Sequence, residues 1–445
     1  MKAIVVGAGM AGLTALHTLK KGGMEVVCFE NADFAGGRVI SSRRDGFIMD
    51  PGAQFFFRFY DTCFRLADEL GLSRERRSWP FRIGFPKDGR FLPVVASIQP
   101  SVAIPNLGET MRFLTRAGIP YKAMRQFLKI LPMLVKRYQD FDLVDFERAL
   151  DLDHESLADY VLRMGGKDIL EYLFHSVASA LTLANPEELS AVYGMGLLWN
   201  MINGLNTFEH GLGTITERLA ERYTDCIRYK TPVDKIVIEN GRVKGVEVDG
   251  SLVEADIVIP AITATKLLKM ASNLPESLRG ALKTVSYSAC CHVVFALPTL
   301  LLPKDWYALL TPRITHSIVA GFSENSVKSK YYAPPGCSQI SCWTYDHHAH
   351  EMNALPDAEV KQTLLREVRR FIPTMPDEPL FTEVYRWHEA VCIGQPGMLS
   401  AMARLKREHY RDVKGLYLAG EYLNMPSVES AARSGVDAAQ AALRQ

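Results

Sequence analysis

The chain has 445 residues, 51 of them basic and 50 acidic, for a net charge of +1. That length exceeds one simple core and points to two domains, or two subdomains sharing a cleft. The charge balance excludes a global electrostatic case for nucleic acid or an acidic partner, and 48% hydrophobic with 23% charged residues is ordinary for a soluble globular chain.

Met1 to Gly7 runs straight into a strand, with no room for a charged segment and a separate apolar segment, so no signal peptide and a cytoplasmic protein are expected. Gly7-Ala8-Gly9-Met10-Ala11-Gly12 follows that strand and opens a helix. Gly7 permits the tight turn, Gly9 lets the backbone approach a pyrophosphate, and Gly12 lets helix and strand pack closely. The helix N-terminus then offers free N–H groups and a partial positive charge to phosphates. A second strand, Glu25–Glu30, ends in an acid 18 residues after Gly12, close to the spacing of about 20 for a carboxylate on a ribose diol. Together these predict a dinucleotide site; the alternative is a glycine turn in an empty unit of the same shape. Gly36-Gly37-Arg38 comes next. The two glycines let the chain pass close over the pyrophosphate, and Arg38 is a planar cationic fork that can pair with it; its bland reading is a surface charge.

Residues 107–205 read as largely helical, over Leu107–Ala117, Tyr121–Tyr138, Ser156–Leu162, Lys167–Leu183 and Leu189–Met201. Residues 213–270 return to alternation, with a helix at Thr214–Tyr223, strands at Lys235–Glu239 and Val243–Val248 around an Asn240-Gly241 turn, and Ile257–Pro260. Strands at Ala289–Ala296, Ser338–Tyr345 and Glu383–Trp387 surround a helix near Glu359–Phe371, and the chain closes with a strand, Leu416–Ala419, and a helix, Val428–Leu443. The longest apolar run, Ala289–Pro303, contains His292 and Pro298 and is too short, at about 15 residues, to cross a bilayer. Eight scattered cysteines without a CxxC pair fit reduced thiols better than a disulfide framework.

Glu30-x5-Gly36-Gly37-Arg38, followed by Asp50-Pro51-Gly52-Ala53-Gln54, resembles the flavin-containing amine oxidase superfamily, which includes protoporphyrinogen oxidases, amine oxidases and phytoene-type desaturases. Leu416-Tyr417-Leu418-Ala419-Gly420-Glu421 and Ser427-Val428-Glu429-Ser430-Ala431 resemble its closing motif and last helix. The resemblance implies FAD as cofactor. Glu421 would contact the ribityl or phosphate region, the backbone of Ser427, Val428 and Glu429 the flavin pyrimidine, and the backbone of Val233 the adenine. A helix N-terminus near the flavin N1/C2 carbonyl would stabilise reduced flavin. The expected fold is α/β: a discontinuous Rossmann-type FAD-binding domain from residues 1–85, 211–284 and 391–445, with a mixed substrate domain from a helical insertion, 86–210, and a sheet part, 285–390.

Ala180 to Ser190 and Arg386 to Ala390 are similar to protoporphyrinogen oxidases and desaturases. Amine oxidases of the family carry a lysine on the strand beside the flavin, where this sequence aligns Cys291, and an aromatic residue before the last helix, where it has Ser427. A cationic amine would lose its aromatic cage. Cys392 lacks the flanking residues of a covalent flavin link, so FAD is expected to be non-covalent. Cys291, His292, Trp343 and Trp387 are pocket candidates; for His292 a core histidine, and for the tryptophans plain core packing, are the competing readings. Tyr345-Asp346-His347-His348-Ala349-His350 invites a metal, but a strand end running into a solvated loop, and no metal, is the expectation. The basic amphipathic stretch Tyr121–Tyr138 either packs on the core or lies on an anionic membrane. The function expected is hydride removal from an apolar organic substrate to flavin N5, with oxygen or a quinone taking the electrons. Oxidation of an amine or amino-acid-derived metabolite, and a non-catalytic flavin-binding partner, are the alternatives.

Overall fold

The computed structural model describes residues 1–79, 82–87, 90–95, 108, 121, 125, 129–130, 132–133, 136–303 and 305–445. In chain order the elements used below are β1 (Lys2–Val6), α1 (Met10–Lys21), β2 (Glu25–Phe29), α2 (Asp61–Glu69), β3 (Arg82–Lys87), β4 (Arg90–Val95), α3 (Leu157–Met164), α4 (His175–Thr182), α5 (Ala191–Met201), α6 (Thr214–Arg222) and β5 (Ile227–Arg228). They continue with β6 (Lys235–Glu239), β7 (Arg242–Val248), β8 (Ser251–Glu254), β9 (Ile257–Pro260), β10 (Tyr287–Leu297), β11 (Ala308–Leu310), β12 (Val319–Glu324), β13 (Ser338–Thr344), α7 (Asp346–Ala354), α8 (Asp357–Phe371), β14 (Phe381–Cys392) and α9 (Val428–Leu443).

A parallel sheet of order β5-β2-β1-β9 carries the glycine-rich turn. Its central strand is buried from Ala3 to Val6, the continuous apolar run a doubly covered parallel strand requires. The segment expected as a strand at Leu416–Ala419 lines the edge of β9 through Val258 N–H to Gly415 O (2.8 Å), Tyr417 N–H to Val258 O (3.1 Å) and Ala419 N–H to Pro260 O (3.2 Å). Its only ladder pair is Val258 with Leu416, so it is an edge bridge rather than a regular strand. Both termini meet here: a Cβ on Gly435 of α9 would stand 2.2 Å from Ala11 O, so α1 and α9 cross almost backbone to backbone.

The second large sheet has order β14-β10-β13-β12-β11-β3-β4, and β10 pairs antiparallel with both β13 and β14. Period-two alternation divides its faces. Cys291, Val293 and Phe295 pack with Cys342 and with Val360, Leu364 and Val368 of α8. Cys290, by contrast, packs with Ala320, Tyr345, Trp343 and Trp387 on the other face. The expected helix Lys167–Leu183 runs unbroken from Lys167 to Thr182 with a π-helical turn at Leu170–Phe174 leading into α4, and Leu183 ends it in the left-handed region at φ +59. The expected helices Leu107–Ala117 and Tyr121–Tyr138 lie, but for scattered residues, outside the described residues. The Tyr345–His350 run is corrected: it enters α7, not a loop. Among the described residues no helix is long and apolar enough to cross a membrane. All eight cysteines are free thiols.

Candidate cofactor and substrate site

Gly7 takes φ +96 and a Cβ there would sit 2.8 Å from Ala261 O, while a Cβ on Gly12 would lie 1.9 Å from Gly7 O. Both glycines are therefore required by the protein's own backbone. Gly9 differs. Its φ is −75, and a Cβ on it would meet nothing nearer than Gly37 Cα at 3.9 Å. It borders open space, which is what a site for an approaching pyrophosphate needs. No side chain caps α1, and its first turn holds no acid, so its N–H groups are available to an anion.

Glu30 turns its carboxylate back to this turn. Its Oε2 accepts from Ala8 N–H (2.7 Å) and its Oε1 from Ala32 N–H (2.8 Å). Thr231 N–H donates to Glu30 O (2.9 Å), so the segment leading to the buried Val233 is tied to the end of β2. Gly36 and Gly37 have φ +115 and +58, and Gly36 bridges Gly9, with its N–H on Ala8 O at 2.8 Å. The glycine pair thus lies directly over the first turn.

Arg38 is not a surface charge. Its guanidinium donates to Glu421 at 2.6 Å and to Ala390 O at 3.2 Å, and it lies 5.7 Å from the Tyr287 ring centroid. Burial pulls its pKa down, but Glu421 outweighs that and the net shift is upward. Three segments distant in sequence meet at this one group. Behind it, Ala53 N–H donates to Arg38 O (2.8 Å), and a Cβ on Gly52 would clash with that oxygen at 2.2 Å. Arg38→Ala should weaken FAD binding roughly 10- to 150-fold, the worth of one charge-assisted hydrogen bond of about 1.5–3 kcal/mol. Fluorescence titration of the apoprotein checks this against Arg44→Ala, whose guanidinium reaches the distant Glu383; equal affinities would return Arg38 to a purely structural tie.

At the other end of the cradle, Ser427 caps α9 by accepting from Ser430 N–H at 3.0 Å. Glu429 does not offer its side chain to a cofactor: the buried carboxylate accepts from Thr62 N–H (2.6 Å) and Cys63 N–H (2.9 Å), capping α2. Glu429 is thus left with its backbone alone to offer a ligand. Gly420 is fixed by its N–H on Ser434 Oγ at 2.9 Å, which presents Glu421 to Arg38.

The loop Pro51–Gln54 links the cradle to the second sheet. Pro51 O accepts from His292 Nδ1 at 2.9 Å and from Trp387 Nε1 at 3.0 Å. His292 stacks on Trp343 with ring centroids 6.0 Å apart. Burial pushes the His292 pKa down to about 4, so the ring is neutral and its Nδ1 is the donor. His292, Trp343 and Trp387 therefore share the face turned to the loop. Cys291 does not: it packs on the α8 side, opposite His292. Cys392 is buried against Met398 Sδ at 3.6 Å, and burial pushes its thiol pKa up.

One group beside the loop left no local trace in the sequence. Lys328 is fully buried, with its Nζ 3.3 Å from Asp50 Oδ2 and 3.3 Å from Gln54 Oε1. Asp50 also accepts from Tyr332 OH (2.6 Å), Ser41 Oγ (2.7 Å) and Leu212 N–H (3.0 Å). The partners are separated by up to 282 residues, so no motif could signal them.

The chain matches the family model described as flavin containing amine oxidoreductase over residues 10–443. It is 28% identical to the mitochondrial protoporphyrinogen oxidase of Nicotiana tabacum over 202 residues, which cover 44% of this chain and 36% of that protein. The matched stretch thus spans about a third of that relative's length. The chloroplastic/chromoplastic 15-cis-phytoene desaturase of Solanum lycopersicum is 24% identical over 489 residues, 99% of this chain and 77% of that protein. The crystal structure of cyclohexylamine oxidase from Brevibacterium oxydans IH-35A superposes with a TM-score of 0.73 at 17% identity, covering 100% of this chain and 98% of that one. A superposition at that identity speaks for the α/β fold, whereas the family match carries the flavin, and the chain belongs to the flavin-containing amine oxidoreductase family.

Proposed function

We propose that the chain is an FAD-dependent oxidase or desaturase that removes a hydride from a large apolar substrate. Bound non-covalently, FAD would supply the hydride acceptor, N5, and oxygen or a quinone would then take the electrons. The chain's own part is to bind, orient and exclude water. One observation carries the reading. The sheet face turned to the Pro51 loop has an apolar and aromatic lining, buried at Cys290, Ala320, Tyr345 and Leu183 and partly exposed at Trp343 and Trp387. No lysine stands on β10, and Ser427 occupies the position before α9. Such a surface favours a substrate through buried area, at about 25 cal/mol per Å² before ordering costs, and gives a small cation little. Two relatives are named for protoporphyrinogen and phytoene chemistry, in keeping with this class. An apolar substrate of this kind also partitions into lipid, so the reading includes peripheral membrane contact through the basic stretch Tyr121–Tyr138.

Anaerobic mixing tests the proposal. A tetrapyrrole precursor or a polyene should bleach the oxidised flavin absorbance, and benzylamine and putrescine should not. Bleaching by an amine alone would promote amine oxidation. Intact FAD that no member of the panel reduces would favour a non-catalytic flavin protein.

A further inference from the structure

The histidine-rich run Tyr345–His350 plays no part in the cofactor cradle. Because it enters α7, its side chains are ordered in a way a loop would not impose. Glu351 lies four residues after His347 and three after His348, so both imidazoles share a helix face with one carboxylate. One ligand atom from each of His347, His348 and Glu351 lies within 4.8 Å of the other two. His348 Nδ1 and Glu351 Oε2 are 3.3 Å apart. That is about the separation of two donors on one tetrahedral ion with bonds of roughly 2.0–2.2 Å. The His347 and His348 rings have centroids 3.9 Å apart, so the third donor needs only a side-chain rotation to close on the same point.

Two further features suit a cation. His347 Nδ1 lies 3.0 Å from Asp346 Oδ2, the carboxylate–imidazole pair that fixes a ligand ring from behind. Asp346 is itself anchored, with φ +53 and its N–H on Leu183 O at 3.1 Å. Its carboxylate and that of Glu351 also offset the positive end of the α7 dipole, which would otherwise disfavour a cation. His347 and Glu351 are exposed and His348 is partly exposed, so an ion has access.

We propose that His347, His348 and Glu351 form a binding site for a divalent transition-metal ion of the Zn2+ type, with Asp346 as the positioning residue for His347. Two imidazole nitrogens and one carboxylate oxygen are the donor set such borderline ions take, with water completing the shell. The site lies beyond the end of β13, beside Tyr345, whose ring centroid is 6.3 Å from that of His348.

Isothermal titration of the FAD-loaded protein with Zn2+ tests it. Saturable binding of one ion is expected. His348→Ala and Glu351→Gln should each weaken it by at least about tenfold, and Asp346→Asn by about tenfold through the outer shell. His350→Ala, outside the cluster, should leave it unchanged. All four positions lie at or near the surface, and an unaltered flavin spectrum confirms that each variant is folded. Absence of saturable binding would overturn the site, as would binding that survives in the His348→Ala/Glu351→Gln double variant.

Discussion

Gly9→Val should give a folded protein that carries no FAD, and Gly12→Val should give no native protein at all. Both positions belong to one motif, but the structure separates their reasons. A Cβ on Gly12 would stand 1.9 Å from the carbonyl oxygen of Gly7 and 3.2 Å from Ala261 Cβ. Those are buried backbone and sheet contacts with nowhere to move. Gly9 has an ordinary backbone, φ −75, so valine is not strained there. Its methyls instead extend into the space over the N-terminus of α1, where the pyrophosphate would accept N–H bonds. Losing two or more such charge-assisted bonds, at about 1.5–3 kcal/mol each, lowers affinity by roughly 100-fold or more. The purified variant should be colourless and should melt at the midpoint of wild-type apoprotein, since it forgoes only the stabilisation that bound ligand confers. Full occupancy would mean that the pyrophosphate does not approach Gly9; melting well below the apoprotein would mean that Gly9 serves the fold.

The same contrast explains what could be read from the sequence. The glycine turn, Glu30, Gly36-Gly37-Arg38 and the start of α9 are local signals, each a few residues long and each tied to a backbone geometry that only certain residues allow. α9 begins and ends where Ser427 and the apolar spacing place it, and the Asn240-Gly241 turn has both residues at positive φ, +50 and +70. What escaped was set by contacts distant in sequence. The motif speaks for the backbone of Glu429 and says nothing of its side chain, whose carboxylate caps the N-terminus of α2. Cys291 and His292 are consecutive candidates on one apolar strand, and only the register of His292 with Trp343 and Tyr385 shows that it is His292 that faces the loop. The helix α7 was hidden because histidine, aspartate and asparagine are weak helix formers; it is held by packing of Ala349 and Met352 in the core. Lys328 carried no signal, since a lone lysine in sequence is a surface residue by default.

That lysine sets the second large effect. Asp50→Ala should destabilise the protein by about 3–5 kcal/mol, the penalty for leaving a buried charge without its partner. Burial already pulls the Lys328 pKa down and Asp50 pulls it back, so removing the carboxylate leaves the ammonium with Gln54 Oε1 and the ring faces of Tyr307 and Tyr332. Lys328→Met should cost less, because Asp50 keeps Tyr332 OH, Ser41 Oγ and the Leu212 N–H as donors. The double variant should therefore be more stable than the sum of the single losses predicts, by a coupling of roughly 1–3 kcal/mol. The consequence reaches the site through the chain itself. Asp50 immediately precedes Pro51, whose carbonyl holds His292 and Trp387, and stands three residues before Ala53, whose N–H holds the Arg38 carbonyl. Loosening Asp50 thus frees a loop that both the cradle and the sheet face lean on, and Asp50→Ala should lose FAD affinity more than Lys328→Met does. Melting midpoints and flavin titration of the three variants decide the matter. Equal losses in the two single variants, with no coupling in the double, would show that Asp50 and Lys328 do not act as a pair and that the loop is held by its backbone bonds alone.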